Sequence, residues 1–141
     1  MAKLSVSGLD SLMLSLEEIA AIPDDVAAAM LDSEAQVVEE AQIAEGMSMG
    51  VYRTGETLRS IRRGKMKKDR DGSSRTVYIT PQGVNEKGER NAAVAFINEY
   101  GVPSRKIPPR PFIAAANEKA AGPAVAEAEK VYDEFLKEKG L

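Results

Sequence analysis

The chain contains no cysteine and no histidine. Without cysteine there is no disulfide framework, no thiolate nucleophile and no thiolate metal site, and composition leaves the redox compartment unmarked. Without histidine the commonest general base and metal ligand is missing. No serine is followed three positions later by lysine, so the serine–lysine pairing of one hydrolase class is absent too. Carboxylates are abundant, but no spacing singles out an acid–base pair, and for a hydrolase working through carboxylates alone no residue can be named. The missing inventory predicts a protein that is not an enzyme and holds no cofactor or resident metal. Residues 1–16 lack a basic stretch followed by an apolar run, and nowhere do eighteen apolar residues run together, which predicts neither secretion nor a membrane span.

What is present suits a folded globular protein. With 43% hydrophobic and 29% charged residues the chain is too apolar to stay disordered, and 141 residues fit one domain with a single core. The net charge of −3 conceals a strong segregation: residues 1–49 carry −9, residues 50–112 carry +8 and residues 113–141 carry −2. Faces of opposite sign steer association between copies, or bring a basic strip to a polyanion.

Hydrophobic periodicity gives the elements. Leu9, Leu12, Met13, Leu16 and Ile19 predict an amphipathic helix over 8–20, capped by Ser7 and ended by Pro23. Asp24 and Asp25 favour a second helix start, and Val26, Met30, Ser33, Val37, Ala41 and Ala44 form its stripe to about residue 45. All seven charged residues between Asp24 and Glu45 are acidic, which predicts a uniformly negative outer face, solvated or used for docking. Asp71-Gly72 is a turn signal, and the β-branched run 76–80 beyond it makes 58–80 a β-hairpin closed by Pro81. The parity of Ile61 and Met66 requires that the first strand either carry a bulge, placed at Gly64, or start late. Residues 82–91 form a polar loop, 92–100 a short buried helix stopped by Gly101, and the prolines at 103, 108, 109 and 111 an extended strut. Val125, Ala128, Tyr132, Phe135 and Leu136 mark a final helix, with Gly122-Pro123 as a kink or restart.

Few motifs carry chemistry. Gly83 and Gly88 imitate a phosphate-binding loop, but Glu89 stands where the lysine belongs. Asp69 and Asp71 imitate a calcium loop, yet Ser74 and Thr80 occupy the positions of its glycine and bidentate glutamate. The strongest electrostatic feature is Arg59, Arg62, Arg63, Lys65, Lys67, Lys68 and Arg70, seven cations in twelve residues with only Asp69 among them. With no aromatic to stack on bases, any contact with DNA would be sequence-blind. The same residues equally suit a solvated edge hairpin.

Three stretches, TGETLRSI (54–61), AVAFINEYG (93–101) and IPPRPFIAAA (107–116), resemble in order and spacing the head-to-tail joining and tail-completion proteins of long-tailed bacteriophages, a family related to tail terminators. The resemblance implies a single α+β domain over 1–141, with N-terminal helices (1–22 peripheral) and a C-terminal helix packed on a small, mostly antiparallel sheet that contains the long basic hairpin. It implies a homo-oligomeric ring, of six subunits, between the head connector or head-completion protein and the tail tube protein, in a virion assembled in the host cytoplasm, with DNA passing through. Carried over by position, Thr54, Gly55, Leu58, Ile61, Phe96, Glu99, Tyr100, Gly101, Arg110, Pro111 and Phe112 would form or brace the subunit interface. A chain with so few aromatics gains buried surface by closing such a ring, and the acidic helix and basic hairpin are candidate complementary faces, so charge reversal at Arg62 and Arg63 should weaken assembly.

Overall fold

The computed structural model describes residues 3–6, 13–15, 22–51, 55–72 and 74–140. In chain order the elements are β1 (Lys3–Val6), β2 (Met13–Ser15), α1 (Asp24–Ser48), α2 (Glu56–Arg59), β3 (Ile61–Arg63), β4 (Lys67–Lys68), β5 (Ser74–Val77), β6 (Ile79–Pro81), α3 (Asn91–Tyr100) and α4 (Phe112–Glu138). The fold is a single α+β domain. Among the described residues no helix is long and apolar enough to cross a membrane.

Two long helices make the core. Gln42 near the end of α1 donates from Nε2 to Asn117 Oδ1 near the start of α4 (3.1 Å), so the helices lie antiparallel. The seam of α4 is Ala116, Ala120, Ala124 and Ala128, four alanines at a spacing of four, all buried. Small side chains in one row let two helices approach closely along their whole length. The same core takes in Ala27, Leu31, Ala35 and Val38 of α1. The stripe expected on α1 is therefore displaced: Val26, Val37 and Ala41 are only half-buried, while the buried row runs Ala27, Met30, Leu31, Glu34, Ala35, Val38, Gln42 and Gly46. Two polar residues inside that row masked it. At Gly46 a Cβ would collide with the Leu58 side chain, so the glycine opens the notch in which Leu58 seats. The helix α4 continues through Pro123 without a restart, because packing along the alanine seam outweighs the hydrogen bond that proline cannot donate.

The strands form a sheet in the order β2-β1-β5-β4, with β1 and β5 parallel and the other two pairings antiparallel, and a separate antiparallel pair β3-β6. Two expectations fail here. Met13–Ser15 is a strand and not part of a helix, because a ladder to β1 satisfies backbone groups that a short isolated helix would leave to marginal intrahelical bonds; the rest of the helix expected over 8–20 lies outside the described residues. The basic hairpin forms only over 61–81 and is interrupted. Leu58 and Arg59 belong to α2, and the ladder breaks into two short pairs in different sheets. Gly64 N–H still donates to Tyr78 O (2.8 Å), but between that bond and the Lys67–Thr76 pair the register slips by one residue, so the first strand both starts late, at Ile61, and bulges after Gly64.

Candidate interface module

Segments α2, α3 and the strut into α4 fold together. Gly101 ends α3 with φ 69° and ψ −179°, a backbone that only glycine adopts readily. A Cβ there would lie 2.5 Å from Ile107 O and 2.7 Å from Pro109 N, so the strut packs directly on the glycine. The strut is not extended throughout. Val102 and Ile107 exchange two backbone hydrogen bonds (2.9 and 3.1 Å) around a 3-10 turn at Pro103–Arg105, with Lys106 left-handed at φ 56°. Beyond it Arg110 N–H donates to Asn98 O, and the Arg110 guanidinium donates to Gly50 O at 3.1 Å.

The helix α3 is inverted. Its only acidic or basic residue, Glu99, is 8% exposed, while Phe96 and Tyr100 are 63% and 65% exposed and Ile97 is 38% exposed. The reason lies in α4, which begins after Pro111 and so has no side chain able to cap its first amides. Glu99 supplies that cap from a different helix, accepting from Ile113 N–H (2.8 Å) and Ala114 N–H (3.0 Å). A carboxylate at a helix N-terminus also meets the positive end of the macrodipole. With Glu99 turned inward, the aromatics one turn apart point out, their ring centroids 4.7 Å apart.

The residues expected at the interface thus divide. Phe96, Tyr100, Arg110 and Pro111 are exposed; Gly55 starts α2 with φ 77°. Leu58, Ile61 and Phe112 are fully buried and cannot meet a neighbour in this fold: they are core residues, Phe112 being the largest side chain with no exposure. Glu99 is a cap, and Gly101 a packing point. Thr54 lies outside the described residues. The signal for Glu99 was present in the sequence, since a helix starting at a proline must find its cap elsewhere.

The basic stretch does not form one face. Arg63 pairs with Asp32 (2.7 Å) and Glu39 (2.9 Å), and Lys68 with Asp24 (2.9 Å), all on α1. Lys67 sits 5.4 Å over the Tyr78 ring. The Arg62 guanidinium donates to the backbone oxygen of the preceding residue, Ile61. Part of the charge complementarity assigned to neighbouring copies is therefore spent within the chain, and Glu45 is likewise engaged by Lys119. Of the seven acids of α1 one, Glu34, is buried and does not belong to the outer face. Charge reversal consequently separates two effects. Arg63→Glu should destabilise the fold by about 1–3 kcal/mol, since it sets three carboxylates together. Arg62→Glu should leave the thermal midpoint within about 1 °C, a surface substitution of small effect. Differential scanning calorimetry of both checks this.

No family model, curated protein or solved structure matches the chain. The geometry must carry the assignment.

On one side of α3 lies an open cleft of about 390 Å³, bounded by Gly55, Glu56, Val94, Ile97, Ile107 and Arg110 among others. Every one of the three sequence stretches contributes to its wall. Glu56 accepts the Glu86 N–H (3.3 and 3.4 Å), which fastens the loop 83–89 along the rim. On the other side a shallow groove of about 350 Å³ runs beside Phe96 and Tyr100 over Ala92, Ala95, Ile113 and Ala114. Among the described residues no group of three carboxylates is arranged to hold a metal ion.

Proposed function

We propose that the chain is a structural subunit of the neck of a long-tailed phage or prophage, a head-to-tail joining or tail-completion protein that closes a ring of six between connector and tail tube. One observation carries this reading: three stretches that are separate in sequence, and that bear the resemblance to that family, converge on one cleft and one helix whose aromatic face its own chain leaves uncovered. Monomeric proteins rarely expose contiguous aromatic surface without a use for it, and exposed aromatics are the usual anchors of protein interfaces. Its partners would be other copies of itself, the connector or head-completion protein and the tail tube protein. The site would be the virion neck, assembled in the host cytoplasm.

Disrupting the gene in the phage or prophage that encodes it should leave filled heads and finished tails unjoined in electron micrographs of the lysate, with joining restored by the purified protein. Normal virions from the disrupted phage would refute the proposal. A sequence-blind nucleic-acid role keeps one point in its favour, because Arg62, Lys65 and Arg70 remain exposed. On that reading a gel shift on arbitrary DNA should weaken steeply with salt and be lost on neutralising those three residues.

A further inference from the structure

Side chains alternate across the strand run 75–80. Arg75, Val77 and Ile79 are buried, while Tyr78 and Thr80 are exposed, Tyr78 at 46%. Cross-strand partners share a face, so Arg62 opposite Thr80 and Lys67 opposite Thr76 flank the ring on the outer side of the sheet. Four residues separate Thr76 from Thr80, which sets the two cations about 13 Å apart along the strand with the ring midway. Opposite Tyr78 stands Gly64, whose N–H donates to the Tyr78 carbonyl. With no side chain at 64, the Lys67 ammonium reaches over the ring instead, 5.4 Å from its centroid. Arg62, Lys65 and Lys67 are all exposed, and the carboxylates of Asp69 and Asp24 are turned to Ser74 and to Lys68 and Arg75.

The cationic stretch 59–70 has no aromatic of its own, but the fold brings Tyr78 into its midst from the opposite strand. An exposed ring among cations suits a single strand, whose phosphates meet the cations while a base stacks on the ring. A duplex keeps its bases inside and offers this ring none of them, whereas a single strand can splay a base outward. An exposed cation–π contact is worth less than a base stack, so an arriving base displaces Lys67 from the ring and leaves its ammonium to a phosphate. We propose that Tyr78, flanked by Arg62, Lys65 and Lys67, is a binding surface for single-stranded nucleic acid, with one base stacked on the ring. Such a surface is a sharper form of the nucleic-acid role raised above and rests on it, since charge alone would favour the duplex with its denser phosphates.

Fluorescence anisotropy of a labelled oligothymidylate of about twenty nucleotides, titrated with the full chain in roughly 50 mM salt, should show binding about threefold or more tighter than to a duplex of the same length. Tyr78→Ala should weaken binding of the single strand about tenfold, the loss of one stacked base, and leave the duplex within about twofold. Tyr78→Phe keeps the ring and should bind as the natural chain does. Circular dichroism should be unchanged in both variants, because Tyr78 lies outside the core. The slope of log affinity against log salt should be about −2, three phosphates at roughly −0.7 each, and should persist in Tyr78→Ala because the ring carries no charge. An oligouridylate of equal length, run beside it, tells RNA from DNA as the source of the strand. A single strand held no better than the duplex, or held as tightly by Tyr78→Ala as by the natural chain, would overturn the proposal and leave the charge-only role standing. Failure of every strand to bind would overturn both. Either failure leaves the neck assignment untouched, because that is read from head–tail joining.

Discussion

Gly101→Ala should destabilise the protein by about 3–5 kcal/mol and lower its thermal midpoint by roughly 10–15 °C, among the largest effects of any single-methyl change in the chain. Two costs add. The backbone at φ 69° and ψ −179° lies where a side chain is strained by about 1–3 kcal/mol. The added methyl would also sit 2.5 Å from Ile107 O and 2.7 Å from Pro109 N, and these are backbone atoms of a proline-stiffened strut that has little freedom to yield. Relief requires the strut to lift, and lifting it pulls Arg110 from Asn98 and Gly50 and moves the start of α4 off Glu99. Against a total stability of about 5–15 kcal/mol, the variant should be marginally folded at 37 °C. Calorimetry gives the magnitude. A loss below about 1 kcal/mol would mean that the strut is not held against Gly101 as described.

The second large effect is a pH dependence located at Glu34. Its side chain is 1% exposed, and among the described residues neither carboxylate oxygen has a hydrogen-bond partner. Burial in apolar surroundings raises its pKa from 4.5 to about 7. Below pH 4.5 the group is protonated in both the folded and unfolded chain and costs nothing through ionisation. Between 4.5 and 7 the unfolded chain releases its proton while the folded chain keeps it, so stability falls as pH rises. Above 7 the full penalty applies, about 3 kcal/mol for a shift of that size. Glu34→Gln removes the ionisation and buries an amide in place of a protonated carboxyl of similar polarity, so at pH 8 the variant should be about 3 kcal/mol more stable than the natural chain, with the difference shrinking towards zero near pH 4.5. Urea denaturation at the two pH values checks it. A difference that does not change with pH would show that Glu34 is ionised and paired in the fold.

Much of the architecture was legible in the sequence, for physical reasons that also mark where legibility stops. Asp24 and Asp25 after Pro23 located the start of α1, Gly101 the end of α3, and the parity of Ile61 and Met66 the bulge near Gly64. The face of α1 was misjudged by one residue because Glu34 and Gln42 stand in the buried row, and a pattern that counts apolar residues slides to the nearest unbroken alternative. The seam of α4 is Ala116 to Ala128, whereas the larger Tyr132 and Phe135 drew the stripe further along; alanine carries little hydrophobic signal, yet it sets how closely two helices pack. The inversion of α3 is invisible to periodicity altogether. It arises because Glu99 is needed inside to cap α4, a demand set by a helix that starts twelve residues after α3 ends. The basic residues from Arg59 to Arg70 were equally unreadable as a site, since only the fold reveals that Arg63 and Lys68 answer the acids of α1.

The central claim is that this protein meets its partners through α3 and the segment that follows it. Amide hydrogen exchange, compared between the free chain and the chain within purified neck complexes, tests that directly. Protection should appear in 91–112 and exceed any change in 59–70. Unchanged exchange across α3, with protection confined to 59–70 and reproduced by DNA alone, would contradict the claim and leave the basic stretch as the functional surface.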